Sequence, residues 1–175
     1  DDGTVDAVIV ATNEQSHSPI TIAALEAGKH VLCEKPMADS VAEAERMQQV
    51  AEKTGKKLMI IHNQRLYPAH QLLKKVLAEG TLGKVHAYRT TLANQGQEND
   101  GWGTAFPDFY DRIGHTNGAL AQVGVHRIDL LNHLFSEDPV IAVLAHTMTQ
   151  AKQLEDGSPV PYEDYTVLQL QHRSG

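Results

Sequence analysis

Two side chains have the type and setting to do chemistry. Lys35 closes the stretch HVLCEKP, residues 30–36, in which a short apolar run ends on Glu34, Lys35 and Pro36. A strand that finishes on a charged pair and a proline opens its carboxyl end to a site, because ligands of parallel α/β sheets sit outside those ends. Lys35 is therefore a candidate for a functional role. A solvated charge pair is the plainer alternative. His126 lies in a helical pattern over residues 119–135. At about 100° per residue, Leu120, Val123, Ile128, Leu131 and Leu134 fall on one side, and Gln122, His126, Asp129 and His133 fall on the other. Imidazole titrates near neutrality, so His126 suits a general base or acid. The alternative there is a solvated polar face.

A metal is not expected, although the chain has ten histidines. His126, Asp129 and His133 share a face, but the HxxxH spacing of tight zinc sites is absent. The single cysteine, Cys33, has no neighbouring ligand in sequence and reads as a buried structural thiol. His30, His62 and His86 fall on expected strands and read as packed or surface residues.

The elements that must position Lys35 alternate regularly. Residues 5–12, VDAVIVAT, are a nearly unbroken β-branched run, the pattern of a strand buried on both faces of a parallel sheet. Ser18 and Pro19 predict the start of a helix that stops at Gly28, with an apolar face of Ile20, Ala23, Ala24 and Ala27. HVLCE is the next strand. Ser40 and Glu43 form a capping-box pattern for a helix ending near Gly55, and LMIIH, residues 58–62, is a third strand. Strand, helix, strand, helix, strand implies a parallel sheet with helical cover.

Beyond residue 64 the rhythm changes. Pro68 opens a helix that stops at Gly80, and residues 84–93 predict a longer strand. Residues 94–118 form a long loop with the chain's one tryptophan, Trp102. After the helix over 119–135 come two strands, PVIAVLAHTM and EDYTVLQLQ, that read as a hairpin. The expected fold class is α/β: part of a Rossmann dinucleotide-binding domain over residues 1–64, then an α+β domain with a mainly antiparallel open sheet over 65–175. At 175 residues, 41% hydrophobic, 21% charged and a net charge of −7, the chain reads as an ordinary soluble globular protein. The charge argues against a nucleic-acid surface, and no apolar run reaches the length of a membrane span. One cysteine suggests a reducing, cytoplasmic compartment.

VDAVIVATNEQSH, AGKHVLCEKPMA and the G-x-L-x-x-x-G-V-H-x-I-D of residues 118–129 together resemble the Gfo/Idh/MocA oxidoreductases, and LAEGTLGKV resembles that family's link into its C-terminal domain. The resemblance implies hydride transfer between NAD or NADP and a carbinol of a sugar, cyclitol or related polyol. It places Lys35 between nicotinamide and substrate, with Glu34 and Pro36 shaping the cofactor turn. Thr12, Asn13 and His17 match the cofactor-side loop, and His126 matches the catalytic histidine. Gln122, Arg65, Tyr67, Trp102 and Asp129 are the expected substrate contacts. Partners are a small sugar or polyol and a second copy of the chain through the C-terminal sheet, with no nucleic acid and no membrane.

Two departures from the family pattern stand out. Many members carry Asp four residues before the histidine, where this chain has Gln122; an amide can orient a hydroxyl but cannot carry its proton. No GxGxxG precedes the first strand, so the sequence reads as the middle portion of a longer enzyme, and weak dinucleotide binding is expected of it alone. An NAD-dependent glycosidase of the same family and a non-enzymatic ligand-sensing relative are the alternatives.

Overall fold

The computed structural model describes residues 2–93, 118–153 and 157–175. The chain divides into two compact units, Asp1–His62 and Asn63–Gly175.

In the first unit β1 (Ala7–Val10), α1 (Glu14–Glu26), β2 (His30–Glu34), α2 (Val41–Thr54) and β3 (Leu58–Ile61) alternate. The strands form a parallel sheet in the order β1-β2-β3, with Val10 opposite Cys33 and Cys33 opposite Ile60. Side chains alternate across the pleat, so Val10, Val31 and Cys33 face a core closed by Ile22 and Leu25 of α1 and Met47 of α2. The expected two-sided burial is not found. Ile9 is 69% exposed and Met59 61% exposed. In a 1-2-3 order both crossovers run the same way, and right-handed crossovers put α1 and α2 on one face. The opposite face carries the exposed Ile9 and Met59.

Helix α1 begins at Glu14 with Asn13 as its N-cap, and Pro19 lies inside it. The Ser18–Pro19 start expected from local chemistry loses to tertiary contacts made by the preceding turn. There His17 is buried and the Ser18 hydroxyl donates to the Glu43 carboxylate of α2. The earlier start also turns the helix. Ser18, Thr21, Ile22 and Leu25 face inward, whereas Ile20 is exposed. In α2 the Ser40 hydroxyl accepts from the Glu43 N–H at 3.3 Å, and Gly55 closes the helix at φ 66°. Only this half of the capping box forms, because the Glu43 carboxylate is engaged by Ser18.

The second unit opens with a 3₁₀ turn, Asn63–Leu66, and α3 (Pro68–Ala78), which has its proline at the start of the helix as expected. Residues 85–93 are not a strand. A strand exists through its ladder, and among the described residues β4 (Val140–Met148) and β5 (Tyr165–His172) pair only with each other. The segment is held by side-chain packing instead, with Tyr88 edge-on to Phe135. The β4–β5 hairpin is antiparallel, with a register irregularity between Val140 and Ala142. The Asp164 carboxylate ties off its connection by accepting from the N–H groups of Gln150, Ala151 and Lys152 at 2.7–2.8 Å.

Between these lies the helix expected over 119–135, in two parts. Leu120–Gly124 is a π turn, in which Val125 N–H reaches back to Leu120 C=O, and α4 (Val125–Leu134) continues from it. The wider turn breaks the phase of a uniform helical projection. Within α4 the buried residues are Asp129, Leu130 and Leu134, so Asp129 does not lie on a solvated face.

Candidate active site

The first unit gathers its candidate residues at the carboxyl ends of β1 and β2. Parallel neighbours end side by side, so the loop Ala11–Asn13 and the turn Lys35–Pro36 share one edge of the sheet. Lys35 is half-buried and Pro36 buried, across a cis peptide bond. Burial pulls the Lys35 ammonium below the ordinary lysine range, and the charges of Glu34 and Glu14 push partly back. The Glu34 carboxylate accepts the Lys35 backbone N–H at 3.1 Å, so it braces the turn. The Thr12 hydroxyl donates weakly to Asn13 C=O at 3.3 Å and remains exposed. The His17 ring lies between two backbone carbonyls, of Pro36 at 2.7 Å and of Thr12 at 3.1 Å.

Glu14 is the residue that sequence reasoning missed here. It is 6% exposed in the first turn of α1, and its charge acts on Lys35. A carboxylate 21 positions away in sequence carries no local signature of that role. Glu14→Gln removes a negative charge that supports the ammonium, so the Lys35 pKa falls further. An activity that needs charged Lys35 then loses its alkaline limb at lower pH, and the pH dependence of Lys35 labelling by an amine reagent shifts the same way. An unmoved midpoint would show that Glu14 does not act on this lysine.

In the second unit the π turn and α4 carry Gln122, His126, Asp129 and His133. Gln122 and His126 are half-buried. Arg65, in the 3₁₀ turn, clasps Asp129 with both ends of its guanidinium, Nε to Oδ2 at 2.7 Å and the second N–H group to Oδ1. This pairing raises the Arg65 pKa. Arg127 donates to Gln64 Oε1 at 3.1 Å, so three hydrogen bonds between two residue pairs join the turn to α4. Arg65 and Asp129, both expected as substrate contacts, are thus committed to each other and fix the helix. Tyr67 is 49% exposed and stacks on His70. Trp102 lies outside the described residues.

His133 lies beside the Lys74 amine, 3.2 and 3.3 Å from its two ring nitrogens. Burial first, then the charges of Lys74 and Arg65, lower its pKa, with Asp129 opposing. His133 therefore favours the neutral form and tethers α3 to α4. Among the described residues no three His, Cys, Asp or Glu side chains converge on a metal position.

The start of the site helix has an unforeseen brace. Glu163 C=O accepts from Ala119 N–H at 2.8 Å, and its carboxylate accepts from Leu120 N–H at 3.0 Å. A carboxylate at helical N–H groups opposes the partial positive charge there. Gly118 makes the approach possible, since a Cβ would stand 2.1 Å from the Glu163 carbonyl oxygen. The motif glycine was legible in sequence, but its partner 45 positions later was not.

The Arg65–Asp129 clasp has a measurable stability effect. Arg65→Met removes both guanidinium donors from a carboxylate whose side chain is 9% exposed. Hydrogen bonds to charged groups contribute about 1.5–3 kcal/mol. Arg65 itself is 42% exposed, so solvent screening holds the expected loss to the lower end of that range. Urea unfolding of the second unit checks it, and an unchanged midpoint would remove the clasp from the account.

A parallel sheet with a half-buried lysine at its carboxyl edge in the first unit, and a helix-borne histidine with an antiparallel hairpin in the second, fit an oxidoreductase of the dinucleotide-binding class. Comparison with known families gives the same class in each half. Residues 1–62 match the oxidoreductase family with the NAD-binding Rossmann fold, and residues 70–175 match the GFO/IDH/MocA C-terminal domain. The chain belongs to the Gfo/Idh/MocA oxidoreductase family.

Among its relatives is a 1,5-anhydro-D-fructose reductase of Ensifer adhaerens, 35% identical over 159 residues, 89% of this chain and 46% of that protein. A scyllo-inositol 2-dehydrogenase (NADP(+)) of Bacillus subtilis is 31% identical over 88% of this chain and 41% of that protein. Among solved structures, the WlbA dehydrogenase of Bordetella pertussis in complex with NADH and UDP-GlcNAcA is similar at TM-score 0.76 and 29% identity, over 99% of this chain and 47% of that one. The chain spans about half the length of the relatives it matches. No described helix is long and apolar enough to cross a membrane.

Proposed function

We propose that the protein carrying this sequence is an NAD(P)-dependent oxidoreductase that transfers a hydride between nicotinamide and a carbinol of a sugar, cyclitol or related polyol. The observation that carries the reading is Lys35, a half-buried cation whose charge is disfavoured by burial, at the carboxyl edge of a parallel sheet. A protein retains such a group where its charge has work to do. The relatives' names, which include a sugar reductase and an inositol dehydrogenase, support the substrate class. They leave both NAD and NADP open.

The residues present fit a nicotinamide. Thr12, Asn13, Glu34, Lys35 and Pro36 share the sheet edge where nucleotides bind in such folds. Bound there, the nicotinamide supplies the hydride acceptor. Each other role falls to the chain itself. A ring nitrogen of His126 takes the proton of the substrate hydroxyl as its carbon is oxidised to a carbonyl. The Lys35 ammonium would stabilise the negative charge that develops on the oxidised hydroxyl. Gln122 orients the hydroxyl, and Arg65 with Asp129 holds α4 in place. The first unit would carry the cofactor and the second the substrate. We place the protein in the cytoplasm as a homo-oligomer formed through the C-terminal sheet, where the exposed Leu144, Tyr165 and Val167 share one face and support an interface. We expect no nucleic-acid or membrane partner.

Calorimetric titration of the intact protein with NADH and NADPH, followed by a sugar and polyol panel scored at the reduced-nicotinamide absorbance, tests this. Micromolar binding and turnover of a polyol are expected. Saturating cofactor with no turnover of any panel member would contradict it. Gln122, which cannot relay a proton, is compatible with one second reading, a non-enzymatic ligand-sensing relative, which would bind a polyol and turn none over.

A further inference from the structure

His17 is 1% exposed and sits in α1. Its ring spans two backbone carbonyls that belong to different loops. Nδ1 lies 2.7 Å from Pro36 O, beyond β2, and Nε2 lies 3.1 Å from Thr12 O, beyond β1. Because β1 and β2 are parallel neighbours, the two acceptors stand on adjacent loops at one edge of the sheet. The shorter contact assigns an Nδ1–H donor to Pro36. An aromatic hydrocarbon could fill the same volume without burying two polar nitrogens, so packing alone does not account for a histidine here. With both nitrogens turned to backbone, the ring is not presented to a ligand.

We propose that His17 is a positioning residue that sets the gap between the Thr12 and Pro36 carbonyls, and with it the mouth in which the nicotinamide end of the cofactor lies beside Lys35. The inference rests on the function proposed above and deepens it. The histidine expected as a direct cofactor contact acts instead through the two loops that make the contact. Its loss widens the mouth, weakens cofactor binding and leaves the substrate half untouched.

The test uses the intact protein and two substitutions. His17→Phe fills the space and donates to neither carbonyl, whereas His17→Gln keeps a donor for the Pro36 carbonyl, the one to which the ring itself donates. The expected result for His17→Phe is a rise of about tenfold in the cofactor KM, the scale of one lost buried hydrogen bond, with the polyol KM within about twofold. His17→Gln should fall between it and the parent. An unchanged cofactor KM, or equal losses in both KM values, would overturn the proposal. If His17→Phe does not fold, the ring nitrogens of ¹⁵N-histidine in the parent protein give the answer as NADH is added. They should shift and saturate together with the Thr12 and Lys35 amides. Amide shifts with a silent ring would overturn the role of His17 alone. Silence at every one of these positions would overturn the cofactor reading and the positioning role with it.

Discussion

Lys35→Met in the intact protein should lower turnover about 10²- to 10³-fold, the range found when one preorganised donor to a developing oxyanion is removed. Methionine keeps the apolar stem and loses the charge, so the change isolates electrostatics from packing. Folding should respond in the opposite sense. The Lys35 pKa is lowered by burial, which means that the unfolded chain holds this proton more tightly than the folded one. The charged lysine therefore costs stability at neutral pH, and that cost fades as pH rises from the depressed value towards the ordinary one. Lys35→Met should melt at or above the parent temperature while losing turnover. Steady-state kinetics and a thermal scan on one preparation check both halves. Near-normal turnover would remove Lys35 from the chemistry, and a large fall in melting temperature would recast it as a structural cation.

The second large effect is expected at His126. His126→Asn keeps a polar, hydrogen-bonding side chain but cannot take up a proton at neutral pH. Loss of a positioned general base costs about 10²- to 10⁴-fold in rate. The acidic limb of the pH–rate profile should disappear with it, because that limb records protonation of the base. Gln122→Asp on the parent background asks whether the amide has changed the proton route. If His126 works alone, the added carboxylate stabilises its protonated form and moves the acidic limb to higher pH. A profile that keeps its acidic limb in His126→Asn would place the base elsewhere.

What could be read from the sequence follows from the range of the interactions involved. The parallel sheet was legible because β-branched runs and glycine stops are local signals, and β1, α2 and β3 need little else. The carboxyl-edge position of Lys35 was legible for the same reason, since an apolar strand announces its own end. The start of α1 was not. Ser18 and Pro19 carry the right local chemistry, but burial of His17 and the bond from Ser18 to Glu43 recruit one more turn. The π turn at Leu120–Gly124 shifts Gln122 in phase against the residues of α4, which a uniform projection does not foresee. Asp129 lies inside because Arg65, 64 positions away in sequence, supplies its partner. Glu14 and Glu163 illustrate the remainder. Each acts on a residue 21 or more positions away, and neither sits in a pattern that spacing alone could recognise.

The central claim is that Lys35 and His126 serve hydride transfer from a carbinol carbon. Deuterium tracing tests it most directly. The intact protein is incubated with NAD or NADP and a polyol deuterated at its carbinol carbons, and cofactor and products are analysed by mass spectrometry. The account predicts one deuterium in the reduced nicotinamide and a carbonyl product formed in equal amount. Deuterium retained in the organic product, with no reduced cofactor accumulating, would contradict it.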